Sequence, residues 1–454
     1  MEELIISVSG LRGIVGRILD CTVAMKFATA FATKLEPGPV VVTRDGRTTG
    51  TMLANAICAA LNGVGRNVLF GDVAATPTTG ILVRQHGAAG GIQISASHNP
   101  PEYNGIKLFG SDGRVISASL GEVVKTAFFT NHIDWVEHFD VGQREDLRDT
   151  ITNHLAKVLS TINVQAIRDR EFKVLLNSNH GAGSVLAKAL FDELNVTANL
   201  IGGTPDGLFE NLPEPTEANL RDFAELAKCG DYHVAFAQDP DADRLAVIDE
   251  RGRYVGEEMT LAIVLKHALE RRRGPVVINC ATSRMSMDIA RSFQVDCHLS
   301  PVGEANVCDK MLEVDAVYGG EGNGGPIDPY VGYVRDSFVG IAQILDRMAA
   351  TNKKISQLIE ELPSYAIYKT TCEVPRERIS EALDRIEQKF DDAVPSRMDG
   401  LRLDWEGHWV LIRASNTEPI VRIIAEANTR DQAEKLADEV QSVVLGLTCS
   451  RSHH

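Results

Sequence analysis

The chain has 454 residues, enough for about three domains with two to four all reasonable, so a single small module is excluded. Apolar residues make up 44% and charged residues 24%, the balance of a folded globular protein, which sets disorder and fibrous architectures aside. Lys and Arg number 46 against 62 Asp and Glu, a net charge of −16, so no nucleic-acid or anionic-membrane partner is expected and any phosphate site must gather its cations locally. Eight cysteines without a CxxC pair point to free thiols in a reducing compartment. The amino terminus opens on Glu2 and Glu3, and no apolar run reaches the roughly 18 residues of a membrane helix, so a cytoplasmic protein is expected.

Apolar β-branched runs recur in triplets, each bounded by turn residues and followed by a helical stretch, the pattern of βαβ units in a mostly parallel sheet. The first strands are predicted over Val40–Thr43, Lys173–Leu176 and Pro275–Ile278, and the second over Asn67–Phe70, Thr197–Ile201 and Val295–Leu299. The third strands, Gly91–Ile94, His233–Ala237 and Ala316–Tyr318, each run into a polar loop: Ser95–Pro100, Gln238–Arg244 and Gly319–Gly325. Ligands gather outside the carboxyl ends of parallel strands, so three repeated domains would offer one loop each to a shared cleft. Past residue 364 the pattern changes to amphipathic helices, Arg378–Phe390 and Arg430–Leu445, around consecutive strands near Leu401, Trp409 and Pro419. That predicts an α+β module with a mainly antiparallel sheet. The expected architecture is α/β: three repeated α/β domains with mostly parallel mixed sheets (1–150, 151–250, 251–364) and a C-terminal α+β domain (365–454) around a central cleft.

Each loop has its own chemistry. Asp239, Asp241 and Asp243 alternate over five residues, and carboxylates this close either bind a hard cation such as Mg²⁺ or repel one another. An EF-hand is rejected because Arg244 holds the position where a glycine is needed. Ser97, followed by His98-Asn99-Pro100-Pro101, sits in an exposed turn without a Gly-x-Ser-x-Gly elbow, which disfavours an acyl-transfer hydrolase; it is either an ordinary turn serine or a phosphate acceptor. The run Gly319-Gly320-Glu321-Gly322-Asn323-Gly324-Gly325 matches neither a dinucleotide fingerprint nor a Walker A loop, but Glu321 and Asn323 are usual partners of sugar hydroxyls. Arg413, Ser415, Asn416 and Thr417, with Arg422 beyond, have the composition of a phosphate-binding nest.

In this order the four loops closely resemble the α-D-phosphohexomutase superfamily, which includes phosphoglucosamine mutase and phosphomannomutase/phosphoglucomutase. The resemblance spans essentially the whole chain and begins at Ser9-Gly10-Leu11-Arg12-Gly13. It implies that Ser97 is a phosphoserine beside His98, that Asp239, Asp241 and Asp243 hold Mg²⁺ together with a phosphoserine oxygen, and that Lys107, Arg12 and Arg244 surround the transferring group. By the same resemblance Glu321 and Asn323 read the sugar, while Arg413, Ser415, Asn416, Thr417 and Arg422 grip the phosphate that is not reacting. A hexose 1,6-bisphosphate is the implied intermediate and activator, and sugar phosphates are the implied partners of a monomer or homodimer. Pro240 and Asn416 replace family glycines, and Asn323 stands where many relatives have serine. Gly303-Glu304 resembles the phosphoglucosamine branch, where a carboxylate would suit a 2-amino group; phosphomannomutase/phosphoglucomutase is the alternative, ahead of a metal-dependent phosphatase with an aspartate nucleophile or a sugar-phosphate sensor.

Overall fold

The computed structural model describes residues 4–7, 10–130, 132–414 and 420–449. In the first sheet Val40–Arg44 is central, and its valines are fully buried because alternate side chains pack into separate cores on the two faces. It pairs in parallel with Val68–Val73 and with Gly90–Ile94, and Gly90–Ile94 pairs on its other edge with the antiparallel strand Tyr103–Gly110. The arrangement recurs twice. Lys173–Asn177 lies between the parallel strands Thr197–Ile201 and Val234–Gln238, the latter paired with antiparallel Leu245–Ile248. Val276–Asn279 lies between Cys297–Ser300 and Tyr318–Glu321, the latter paired with antiparallel Gly325–Ile327. Each polar loop therefore leaves the carboxyl end of a parallel strand and returns as an antiparallel one. The fourth sheet is antiparallel, in the order Ala366–Glu373, Ile420–Ala427, His408–Ala414, Leu401–Trp405, Val394–Ser396.

One apolar core is continuous between the second and third sheets. The helix Ser337–Thr351 runs through it with every residue from Ser337 to Met348 buried, its start fixed by Asp336, whose carboxylate accepts from the N–H groups of Phe338 and Val339. A separate cluster fills the first sheet's helical face and another the fourth sheet.

Three elements differ from the sequence expectation. The glycine run is not a loop throughout: Gly319 and Gly320 lie within the strand Tyr318–Glu321. A Cβ on Gly319 would stand 2.4 Å from the Met311 sulfur, and one on Gly320 2.6 Å from a Leu261 methyl, so these glycines let two helices close onto the sheet. The charged stretch 143–149, just before the boundary expected at residue 150, contributes Arg144–Asp146 as a parallel edge strand beside Val68–Phe70. The amino-terminal hairpin Ile5–Ser7 and Gly10–Ile14, not anticipated as strands, extends the first sheet and sets Arg12 opposite Gly105 and Gly10 opposite Lys107.

Candidate active site

The first three loops converge. Ser97 is buried with a left-handed backbone, φ +49°, and its hydroxyl donates to Asp239 Oδ2 at 2.6 Å. Its Oγ lies 3.2 Å from His98 Nδ1. Burial, then the nearby guanidiniums of Arg244 and Arg12, push the His98 pKa down to about 2, so this imidazole stays neutral. Asp239 Oδ1 accepts from the backbone N–H groups of Asp243 and Arg244, both at 3.1 Å, which closes the aspartate loop on itself.

Asp239, Asp241 and Asp243 are fully buried, with one ligand atom of each within 4.8 Å of the others. Burial, then the two neighbouring carboxylates, raises the pKa of Asp239 well above the ordinary range. Asp241 goes the other way: burial opposes its ionisation, but Lys107 and the hydroxyl of Thr76 outweigh it. Lys107 Nζ bridges Asp241 and Asp243, 2.8 Å from the latter; burial lowers its pKa, but these two carboxylates outweigh burial and hold it above the usual lysine value. Thr76, at the start of the helix Thr76–Gln85, donates its hydroxyl to Asp241 Oδ2 at 2.6 Å and its N–H to the Asp241 carbonyl at 2.9 Å. Even so, Asp241 Oδ1 and Asp243 Oδ1 are buried with no hydrogen-bond partner among the described residues. Two orphaned carboxylate oxygens in one cluster are costly to bury and are the donor set a hard divalent cation takes, so the triad fits a metal ion.

Arg335, which sequence reasoning missed, ties the aspartate loop to the sugar loop. Its Nη2 donates to Asp243 at 2.6 Å, its Nη1 to Glu321 at 2.9 Å and its backbone N–H to Glu304 at 2.7 Å. Glu304 is thus committed to Arg335; burial, countered by that guanidinium, brings its pKa to about 7. Glu321 also accepts from Asn279 at 2.7 Å, from the N–H of Gly303 at 3.1 Å and from Asn323 at 3.5 Å. The available sequence signal was Asp336-Ser337, a helix cap immediately after Arg335. Among the described residues the Arg12 guanidinium makes one hydrogen bond, 2.9 Å to Asn99 Oδ1, and the Arg244 guanidinium makes only long contacts, 3.8 Å to Glu214 and 3.9 Å to Asp243.

A cavity of about 500 Å³ opens over these loops, walled by Arg12, Lys107, Arg244, Glu304, Glu321 and Arg335. It adjoins a second of about 530 Å³ reaching the fourth domain, walled by Glu258, Asn279, Lys369, Thr371, Arg413 and Arg422; Val302, Glu321, Asn323 and Arg422 line both. Arg413 and Arg422 are direct cross-strand partners, and like charges placed so repel unless an anion sits between them. Arg413 Nε is 2.8 Å from Asp399 Oδ2. Ser415, Asn416 and Thr417 lie outside the described residues. Glu258, also missed, accepts one hydrogen bond, 3.0 Å from the Ser283 N–H, and burial pushes its pKa up to about 8.

Four family models cover the chain in order: phosphoglucomutase/phosphomannomutase alpha/beta/alpha domains I (4–133), II (152–252) and III (257–365), and the C-terminal domain (370–443). A phosphoglucomutase/phosphomannomutase from Thermococcus kodakarensis is 35% identical over 439 residues, 94% of this chain and 95% of that one. A phosphoglucosamine mutase from Methanocaldococcus jannaschii is 30% identical over 440 residues, 95% and 96% of the two chains. The crystal structure of a phosphoglucomutase/phosphomannomutase family protein from Burkholderia thailandensis superposes with a TM-score of 0.87 at 24% identity, covering 98% of each chain. The chain belongs to the phosphoglucomutase/phosphomannomutase family and is an enzyme of the phosphohexomutase class.

Proposed function

We propose that this enzyme interconverts a hexose 6-phosphate and a hexose 1-phosphate through phospho-Ser97 and a hexose 1,6-bisphosphate, and that its hexose is a 2-amino sugar, with glucosamine 6-phosphate giving glucosamine 1-phosphate. The observation that carries the chemistry is the Ser97 hydroxyl, 2.6 Å from Asp239 of the aspartate triad, beside the cavity that Asn99 and Lys107 line. The P–O bond to Ser97 Oγ breaks as one to a sugar hydroxyl oxygen forms. That hydroxyl loses its proton, and Oγ keeps the electron pair of the broken bond and takes up a proton, regenerating the serine hydroxyl that donates to Asp239. The bisphosphate then turns end for end, and its other phosphate returns to Oγ. Phosphoryl transfer needs mainly positioning and charge neutralisation. Arg12, Lys107 and Arg244 supply positive charge on the cavity wall. Mg²⁺ held by Asp239, Asp241 and Asp243 would add Lewis acidity and charge neutralisation at the transferring group. Arg413 and Arg422 face the opposite phosphate, and their repulsion is relieved when it binds.

The amino-sugar assignment rests on Glu258, whose carboxylate lines the outer cavity with, among the described residues, one hydrogen bond and no cation within ion-pair distance, Lys369 of the same wall acting on it only at longer range. An ammonium group would supply the missing charge. The pairing of Glu304 with Arg335, and the 35% identical relative, favour neutral hexoses as the second reading. Turnover compared on glucosamine, mannose and glucose monophosphates decides between them. Intact mass after incubation with a hexose 1,6-bisphosphate should show one added phosphate, mapping to Ser97 and absent in Ser97→Ala. An Ser97→Ala variant that keeps wild-type turnover would point to an aspartate nucleophile instead.

A further inference from the structure

We infer that Arg47 is a positioning residue for phosphoryl transfer, fixing the loop that presents Ser97 while touching neither substrate nor phosphate; this rests on Ser97 as the phosphoryl carrier. Arg47 follows the central strand Val40–Arg44 and is only 2% exposed. A guanidinium has five N–H donors, and here each has an acceptor. Nη2 donates to the carbonyls of Ser97 at 2.7 Å and Asn99 at 2.6 Å. Nη1 donates to those of Pro100 at 2.7 Å and Tyr103 at 2.8 Å, and Nε to Asp45 Oδ2 at 3.2 Å. Nothing is left over for a ligand. The Phe209 ring of the second domain lies 5.1 Å from the guanidinium carbon.

Ser97 needs such a clamp. A non-glycine residue in the left-handed region is strained and persists only where its surroundings over-determine it. Both flanks of Ser97 are held through the same pair of residues: its carbonyl by Arg47, and its N–H by Ser95 Oγ at 2.8 Å, which in turn donates to Asp45 Oδ2 at 2.7 Å. Asp45 is fully buried, and its Oδ1 accepts the Arg47 N–H at 2.9 Å. The result is an Oγ directed at the aspartate triad. Lysine keeps the charge, but three donors on a point do not reproduce a planar fork reaching four carbonyls.

The test uses the full-length enzyme, with Arg47→Lys and Ser95→Ala compared on the preferred hexose phosphate at saturating 1,6-bisphosphate. Misplacing a reacting group by about 1 Å costs on the order of 100-fold, so kcat of Arg47→Lys should fall by about 30- to 100-fold. KM should stay within about threefold of wild type, since the non-reacting phosphate is gripped in the fourth domain. Ser95→Ala should show the same split to a smaller degree, and intact mass should show slower phosphorylation of Ser97 in both variants. A kcat within threefold of wild type, a rise in KM equal to the fall in kcat, or loss of the fold in Arg47→Lys by circular dichroism would each overturn the assignment. Ser97→Ala is the control: if it is active, the carrier reading fails; if it is dead while Arg47→Lys is normal, only the Arg47 role fails.

Discussion

Replacing Glu258 by Gln separates the two substrate readings, because Glu258 and Glu304 are both partly buried carboxylates at the cavities yet differ in partners. Glu304 accepts the Arg335 N–H at 2.7 Å, whereas Glu258, among the described residues, has only the Ser283 N–H at 3.0 Å. A charge-assisted hydrogen bond to a substrate ammonium is worth about 1.5 to 3 kcal/mol. Because burial lifts the Glu258 pKa to about 8, ionising it at pH 7 consumes about 1.4 kcal/mol of that gain. The net is at most about 1.6 kcal/mol, roughly tenfold in kcat/KM. Glu258→Gln should therefore reduce kcat/KM for glucosamine phosphate by about three- to tenfold and leave mannose and glucose phosphates within twofold. Glu304→Gln weakens the brace on Arg335, which also holds Asp243 and Glu321, and should slow all three substrates alike. The assay is steady-state turnover of each sugar by both variants at one pH and one bisphosphate concentration. Equal losses on all three substrates for Glu258→Gln, or no loss on the amino sugar, would refute the assignment and move the preference to neutral hexoses.

Asp241→Asn removes a carboxylate whose Oδ1 has no partner among the described residues, so calorimetric titration should show Mg²⁺ binding weakened by at least about tenfold; unchanged affinity would exclude this triad as the metal site. Arg422→Ala should relieve repulsion across the strand pair and leave stability equal or raised by about 0.2 to 1 kcal/mol, while KM rises; inorganic phosphate should raise the melting temperature of the wild type more than that of the variant. His98 is neutral when folded, its pKa near 2, while in the unfolded chain it titrates near 6.5. Below about pH 6.5 the unfolded state binds a proton that the folded state refuses, so stability falls as pH falls. Between pH 7 and 5 this amounts to about 1 to 2 kcal/mol once screening at the partly buried ring is allowed for. His98→Gln should lose that part of the acid sensitivity in urea unfolding, and an unchanged pH dependence would show the ring to be protonated in the folded enzyme.

What the sequence made legible follows the physics of burial. Val40–Arg44, Lys173–Asn177 and Val276–Asn279 are covered on both faces, so they read as unbroken apolar runs, and the loops at the ends of their neighbours followed from them. Where a strand is made of other residues the pattern is silent. Arg144–Asp146 is an exposed charged edge strand, and Tyr318–Glu321 contains two glycines because helices, not side chains of its own, fill the space beside it. The aspartate triad was legible because its members are two residues apart; of the fourth-domain residues expected to hold a phosphate, Arg413 and Arg422 line the outer cavity, while Ser415, Asn416 and Thr417 lie outside the described residues.

The arginines show where composition runs out. Arg12, Arg47, Arg244 and Arg335 all stand near the site and look alike as letters; the acceptors around each one separate them. Arg47 spends all five donors on four carbonyls and a carboxylate, and Arg335 divides its guanidinium between Asp243 and Glu321. Arg47 is saturated and acts through what it holds, whereas Arg335 holds two carboxylates while its Nε has no hydrogen-bond partner among the described residues. Among the described residues the Arg12 guanidinium has one side-chain partner, and that of Arg244 has none closer than 3.8 Å. Uncommitted donors on a cavity wall are what an incoming phosphate can use, since contacts already made inside the protein would have to be broken first. Apart from Asp45, two residues from Arg47, these partners lie too far away in sequence for spacing to announce them: Arg47 and Ser97 are 50 residues apart, Arg335 and Asp243 92. The division of the cations between holding the loops and meeting the substrate is therefore set by the convergence of the three domains, and it becomes readable only once each donor is matched to its acceptor.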